Sequence, residues 1–126
     1  MSLYLGGAEL SKLSLSKSDI TYKEYLEDNS SSIVIPNYIT KLCDYCFYAG
    51  NYKSINIPTS IESIGSYCFG RCISLTNITI PNSVLSIGSN CFNSCSNLQT
   101  ITINKSENSI EGAPWGATNA TIVWNG

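Results

Sequence analysis

Residues 55–77 read INIPTSIESIGSYCFGRCISLTN, and residues 78–100 read ITIPNSVLSIGSNCFNSCSNLQT. The two stretches have equal length and align without a gap, so one structural unit is written twice in succession. Residues 33–54 carry a shorter copy, IVIPNYITKLCDYCFYAGNYKS, and a further copy begins with ITIN at residue 101. A fixed period in the range of about 20 to 50 residues is typical of repeat architectures. The period predicts that every copy folds into the same local structure.

Each copy opens with two isoleucines that are two positions apart. The pairs are Ile33 and Ile35, Ile55 and Ile57, Ile78 and Ile80, and Ile101 and Ile103. Alternating β-branched residues predict a short strand, and the proline that follows in the first three copies ends it. Later in the copy, Gly65 or Gly88 breaks the chain before a short helical or 3₁₀ turn that contains Cys-Phe-x-x-Cys. One copy cannot bury its apolar stripe alone, so the copies are predicted to stack as a solenoid.

The whole unit, x-I-x-I-P-x-x-V-x-S-I-G-x-x-x-F-x-x-C-x-x-L, resembles the BspA-like (Treponema pallidum-type) leucine-rich repeat over roughly residues 30–104. The first copy departs from this pattern, because Cys43 replaces the glycine and Gly50 replaces the last cysteine. The resemblance implies a right-handed leucine-rich-repeat solenoid, a β-rich α/β fold of short parallel strands joined by short helical or 3₁₀ turns. It also implies surface attachment, host-factor binding or a phage-associated accessory role. The opening SLYLGG is similar to the starts of some bacteriophage tail and prophage surface proteins.

The 126 residues are of single-domain size. We expect one domain in three parts: an N-terminal cap or degenerate repeat at 1–31, three repeats and the start of a fourth at 32–104, and a C-terminal cap at 105–126. In the first part, LYLGG and KLSLS resemble two short strands, and residues 18–28 fit either a helix or a degenerate repeat. In the last part, Trp115, Ile122, Val123 and Trp124 are expected in a capping hairpin that covers the last repeat.

Six cysteines and no histidine are present. Cys46, Cys68 and Cys91 share one repeat column, so Cys-x-x-Cys at residues 43–46 is better explained by the repeat than by redox chemistry. Buried packing as small apolar residues is the main expectation for the cysteines. Disulfides between stacked copies and a metal site are the alternatives. The family resemblance implies that Cys72 and Cys95 are buried turn residues.

Several classes of function are disfavoured. Without histidine, Ser-His-Asp and Cys-His catalysis cannot be built, and no glycine-rich phosphate loop occurs. The net charge is −2, and the basic residues are scattered, which disfavours nucleic-acid binding. No apolar run approaches the ~20 residues of a membrane helix, and the start lacks the basic region of a signal peptide. We therefore expect neither an enzyme nor a bound cofactor or metal, and no membrane insertion.

The remaining candidates for a functional site lie on the surface of the protein. Residues between the inward isoleucines should form an outward ladder of Val34, Asn56, Thr79 and Thr102, flanked by Ser32, Ser54, Asn77 and Thr100. This ladder is either a binding surface or simply a solvated sheet face. Tyr48 and Tyr52 have no counterparts in the other copies, and tyrosine is enriched at interfaces. The candidate binding residues are therefore Asn56, Thr79, Thr102, Tyr48 and Tyr52.

The resulting hypothesis is a non-enzymatic recognition module that binds a protein, or in second place a glycan, through its strand face. The alternative is a structural or oligomerising component of a phage or cell-surface assembly, in which the chain forms a homo-oligomer. The expected location is the cell surface, the extracellular space or a phage virion.

Overall fold

The computed structural model describes residues 14–16 and 32–126. Its elements, in chain order, are β1 (Ser14–Leu15), β2 (Ser32–Val34), β3 (Lys41–Leu42), β4 (Ser54–Asn56), β5 (Ser63–Ile64), β6 (Asn77–Ile80), β7 (Ser86–Ile87), β8 (Thr100–Ile103) and β9 (Thr121–Trp124). All of these strands pair in parallel. Each copy of the repeat makes one coil, and successive coils stack, so the predicted parallel-strand solenoid is confirmed.

Each of the three copies within residues 33–100 contributes to two separate strand systems. The strands that carry the paired isoleucines, β2, β4, β6, β8 and β9, are called the entry strands, and β1, β3, β5 and β7 are called the second strands. The second strands form one continuous sheet in the order β1-β3-β5-β7. The entry strands form two ladders, β2-β4 and β6-β8-β9. The second strands run without interruption from β1 to β7, whereas the entry strands are interrupted once, between β4 and β6.

The core lies between these strand systems and the turns. The inward isoleucines of β4, β6 and β8 are buried, as the column pattern predicted. Phe47, Phe69 and Phe92 are fully buried and stack with their rings almost parallel, at centroid distances of 5.6 and 5.7 Å. Trp115 continues this column, with its ring 6.5 Å from that of Phe92. One aromatic side chain from each coil therefore packs against the next.

The turn that contains Cys-Phe-x-x-Cys is not helical, and no helix occurs among residues 14–16 and 32–126, so the predicted helical or 3₁₀ turn is wrong. Tyr67 and Arg71 both have φ of 55°, a left-handed conformation that interrupts a helix. In addition, the Phe69 N–H donates to the Cys91 carbonyl in the next coil at 2.9 Å. Alternate backbone donors of the turn therefore bind the next coil, whereas the donors between them bind the same turn, as the Gly70 N–H does to the Tyr67 carbonyl at 2.9 Å.

Gly65 and Gly88 are needed for close stacking. A Cβ atom at Gly88 would collide with the backbone of Gly65 and Ser66 in the preceding coil, and one at Gly65 would collide with Asp44. Left-handed backbone occurs two residues later, at Tyr67 and the equivalent Asn90. The glycine is therefore required by the close approach of two backbones rather than by the bend itself.

The C-terminal segment does not form the predicted hairpin. Strand β9 is parallel to β8, with Ile122 beside Ile101 and Trp124 beside Ile103. The chain between these strands makes another coil, in which the Trp115 carbonyl accepts a hydrogen bond from the Phe92 N–H at 2.9 Å. A parallel return requires such a crossover, whereas a hairpin joins antiparallel strands.

At the N-terminal side, the strand predicted within KLSLS is present as β1. It pairs in parallel with β3, and Leu15 lies beside Leu42. The predicted strand in LYLGG and the segment 18–28 lie outside the described residues. The division into repeats and caps therefore stays a prediction.

Replacement of Phe69 by alanine should remove the middle of the phenylalanine column. We expect a loss of about 3–5 kcal/mol in the free energy of unfolding, since the ring is fully buried between two others. Urea unfolding followed by circular dichroism measures this change. Leu85→Ala is the control, because Leu85 is 68% exposed and should change stability by less than about 0.5 kcal/mol. Equal effects of the two substitutions would contradict the packing described.

Candidate functional site

The outward side of the entry strands carries short, uncharged side chains. In the β6–β8 ladder, Asn77 lies beside Thr100 and Thr79 beside Thr102. Asn77 and Thr79 are exposed, and Thr102 is half-buried beside the last strand. The alternation along each strand thus buries the isoleucines and presents the hydrogen-bonding side chains outward. This outward side is called the entry-strand face.

Asn56 lies on the other ladder, at the end of β4. Its Cα pairs with that of Val34 in β2, and its side chain is exposed. The three ladder residues predicted from the sequence, Asn56, Thr79 and Thr102, therefore occupy equivalent places but do not form one continuous row. Only Thr79 and Thr102 lie side by side in a hydrogen-bonded ladder.

A cleft of about 390 Å³ opens where the two ladders part. It lies between β4 and β6, and its polar lining residues are Ser54, Asn56, Asn77, Thr79 and Asn104. Ile55, Ile57, Ile78 and Pro81 supply the apolar part of the lining. No charged side chain of the described chain lines this cleft.

The cleft was not foreseen from the sequence, because the repeat runs through it without a gap. One residue carries a local signal. Asn56 stands where the next two copies have Thr79 and Thr102, and asparagine is depleted in strands where threonine is enriched. Strand β4 correspondingly ends at Asn56, whereas β6 and β8 each continue for a fourth residue.

A group of three tyrosines forms a second surface feature, called the tyrosine cluster: Tyr45, Tyr48 and Tyr67. The rings of Tyr45 and Tyr67 stack at 5.1 Å with an interplanar angle of 4°, and Tyr48 lies edge-on to Tyr45 at 5.2 Å. Tyr45 is 46% exposed. Gly70 makes room for Tyr48, because a Cβ there would approach that ring to 2.8 Å.

The backbone does not require tyrosine at this place. Tyr45, Tyr67 and Asn90 occupy one column, with φ of 61°, 55° and 57°. Asparagine adopts this left-handed conformation more readily than a bulky side chain does. The two tyrosines therefore occupy left-handed positions at a conformational cost, although left-handed backbone recurs in the turn of each copy.

Tyr52 does not belong to this surface, and its prediction as a contact residue is wrong. Its side chain is only 3% exposed and lies edge-on to Phe47 at 5.6 Å. A Cβ at Gly50 would overlap the Tyr52 ring. Tyr52 thus fills the space that the last cysteine of the motif occupies in the following copies.

The cysteines are free thiols, and five of them are buried, which confirms the predicted packing role for these five. The Cys72 thiol donates to the Phe47 carbonyl at 3.3 Å, and the Cys95 thiol donates to the Phe69 carbonyl at 2.9 Å. Burial raises the pKa of the Cys91 thiol and of the Cys95 thiol above the ordinary range. The Cys72 and Cys95 thiols are thus donors that link one coil to the preceding one, and the raised pKa keeps the Cys95 thiol protonated.

A metal site finds no support in the described part of the chain. No three Cys, Asp or Glu side chains there are arranged to hold a metal ion. Burial and then a hydrogen bond with Cys46 raise the pKa of the Cys68 thiol.

The sequence matches the family model of the BspA type leucine rich repeat region, in six copies over residues 18–121. The chain therefore belongs to the BspA-type leucine-rich repeat family. The crystal structure of the pneumococcal vaccine antigen PcpA is similar, with a TM-score of 0.54 and 27% identity. The similarity covers 65% of this chain and only 20% of the PcpA chain. No curated protein matches the sequence significantly.

Residues 14–16 and 32–126 include no helix able to cross a lipid bilayer.

The thiols should be protected in the folded protein. In a titration with a thiol-specific reagent at neutral pH, we expect at most one fast-reacting group, the half-buried Cys43. The other five thiols are buried, so they should react only after unfolding in denaturant, for a total of six. Two or more fast-reacting thiols in the native protein would contradict this description, and fewer than six after unfolding would indicate a disulfide.

Proposed function

We propose that this chain is a non-enzymatic recognition module that binds a protein partner through its entry-strand face. Leucine-rich repeat domains mediate protein interactions, and families of this type are generally non-enzymatic. The similarity to a pneumococcal vaccine antigen supports a location at the cell surface or outside the cell. The link to a prophage stays a prediction.

The observation that carries this proposal is the fixed register of the uncharged face. The β6–β8 ladder holds Asn77 beside Thr100 and Thr79 beside Thr102. Short side chains on a paired backbone lose little conformational entropy when a partner binds. A face with few charges also imposes a small desolvation cost on a partner. Regularity and low charge together favour recognition through many small hydrogen-bonding contacts.

The tyrosine cluster supplies a second contact surface in this proposal. Tyrosine is among the residues most often found at the energetic centre of protein interfaces. Tyr48 was a candidate from the sequence, and the structure adds its neighbours Tyr45 and Tyr67. The conformational cost of tyrosine at these left-handed positions is consistent with a role outside folding.

A second candidate function, the oligomerising component, is favoured by the edge of β9. Ile122 and Trp124 are only half-buried, whereas their neighbours Ile101 and Ile103 are fully buried. Val123 is 42% exposed. Among the described residues β9 pairs only with β8, and its sequence Thr-Ile-Val-Trp carries no charge or proline, which are the usual devices that keep the edge of a sheet from pairing with another chain.

One experiment separates the two candidates. The purified chain is applied to an array of immobilised extracellular-matrix and plasma proteins, and its mass in solution is measured by light scattering. The main proposal expects a monomer that binds one or more arrayed proteins. A defined oligomer that binds none of them would overturn the main proposal and support the second candidate.

Three substitutions then locate the surface on whichever arrayed protein binds. Thr102→Glu places a charge on the entry-strand face and should weaken binding about tenfold or more, whereas Ser96→Glu, at an exposed position outside the strands, should change it less than twofold. Tyr45→Asn removes the tyrosine stack while keeping a residue suited to left-handed backbone, so binding should fall without loss of stability. If Thr102→Glu and Ser96→Glu bind alike, the entry-strand face is not the binding surface.

A further inference from the structure

The cleft between β4 and β6 is a local opening in an otherwise closely stacked pair of coils. In the same two coils, β5 and β7 pair in register, with Ser63 beside Ser86 and Ile64 beside Ile87. The Phe69 N–H also reaches the Cys91 carbonyl at the usual 2.9 Å. The coils therefore keep their spacing at the second strands and at the turns, and they separate only at the entry strands.

Two side-chain hydrogen bonds between the coils bracket this opening. Before the entry strands, the Ser74 hydroxyl donates to the Asn51 side-chain oxygen at 2.6 Å. After them, the Ser83 hydroxyl donates to the Ile61 carbonyl at 2.7 Å. The coils are thus tied together on both sides of the cleft, so the opening is part of the folded architecture rather than a general loosening of the stack.

The size of the cleft excludes an additional strand as its occupant. A strand inserted into the sheet needs about 4.8 Å on each side, and therefore about 9.6 Å between the flanking strands. Cα atoms of β4 and β6 still approach within 8 Å of each other. A ligand of this cleft must therefore be compact and must lie over the gap instead of joining the ladder. The volume of about 390 Å³ is at the lower end of the ~300–1,000 Å³ of small-ligand sites.

The lining defines the chemistry of such a ligand. Its polar groups are the amides of Asn56, Asn77 and Asn104 and the hydroxyls of Ser54 and Thr79. Amides and hydroxyls both donate and accept hydrogen bonds. No charged side chain of the described residues is available there to balance the charge of an ion. This lining suits an uncharged ligand that carries several hydroxyl groups, and Ile57 and Pro81 offer apolar contact to its carbon skeleton.

We propose that the cleft between β4 and β6 binds a neutral saccharide unit. The proposal rests on the proposed function, in that it takes the entry-strand face as the binding surface, and it adds a second class of ligand at one place on that face. A glycan attached to a protein partner would present such a unit together with a polypeptide surface.

The test uses an array of neutral and acidic oligosaccharides of matched length, followed by titration calorimetry with the sugars that bind. We expect neutral oligosaccharides to bind and their acidic counterparts to bind at least about tenfold more weakly. If no neutral oligosaccharide binds, or if the acidic ones are preferred, the proposal is overturned.

A matched pair of substitutions locates the sugar. Thr79→Val removes a hydroxyl from the cleft, whereas Thr118→Val removes a hydroxyl from an exposed turn outside the cleft and outside the strands. Thr79→Val and Asn56→Ala should weaken saccharide binding about tenfold, and Thr118→Val should change it less than twofold. Thermal unfolding of each variant checks that the fold is kept. Equal losses for the two valine variants would overturn the assignment to the cleft.

The result of the saccharide test can be distinguished from the result of the protein-array test of the proposed function. Saccharide binding that fails while the arrayed proteins still bind overturns only the present inference. Protein binding that fails while neutral saccharides still bind through Asn56 and Thr79 overturns only the protein-binding proposal.

Discussion

The structure depends on one constraint: no coil can bury its own apolar stripe, so each must be covered by the next. Phe47, Phe69 and Phe92 show how this is achieved, since every ring lies flat against the ring of the adjacent coil. Such close stacking leaves no space for a Cβ atom at Gly65 or Gly88. The small distance between adjacent coils therefore explains both the burial of the phenylalanine rings and the presence of glycine at positions 65 and 88.

The same spacing sets the hydrogen bonds of the turns. Alternate N–H groups of the Cys-Phe-x-x-Cys turn donate to the next coil, as Phe47 does to Cys68 at 2.8 Å and Ala49 to Gly70 at 2.7 Å. A helical turn would direct these donors to its own carbonyls. The thiols add bonds in the opposite direction along the stack, from Cys72 to Phe47 and from Cys95 to Phe69. A buried cysteine is therefore useful here as a small apolar side chain that also donates.

Much of the fold could be predicted from the sequence, because the repeats supply columns of equivalent residues. The inward isoleucines and the parallel stacking follow from the columns, whereas the burial of Cys72 and Cys95 was implied by the family resemblance. What could not be predicted depends on contacts between side chains. Tyr52 stands three residues before Ile55, as the buried Leu75 and Leu98 stand before Ile78 and Ile101, and only the packing shows that its ring also fills the space beside Gly50.

The C-terminal segment shows the limit of the same reasoning. Gly-Ala-Pro-Trp-Gly abandons the repeat pattern, yet Trp115 takes the hydrogen-bonding place of Cys68 and Cys91, and β9 continues the parallel ladder. The backbone of the C-terminal coil differs from that of the repeats, so a larger side chain can stand where the repeats have cysteine. The sequence alone does not show this difference in the backbone.

The candidate site was predicted only in part. Asn56, Thr79 and Thr102 were correctly placed on the outward side by strand alternation, which is a local property. The cleft between Asn56 and Thr79 arises because two entry strands fail to pair, although the repeat continues unchanged in length. Pairing depends on the fit between neighbouring strands, and the single threonine-to-asparagine difference is the only local sign of its loss.

The central claim is that the coils remain joined through their second strands while the entry strands part between β4 and β6. Native-state amide hydrogen exchange tests it most directly, because β8 is paired on both sides whereas β4 and β6 are each paired on one side. The account predicts strong protection throughout β8 and markedly weaker protection in the amides of β4 and β6 that border the cleft. Uniform protection of all the central entry strands would show a continuous ladder and would contradict it.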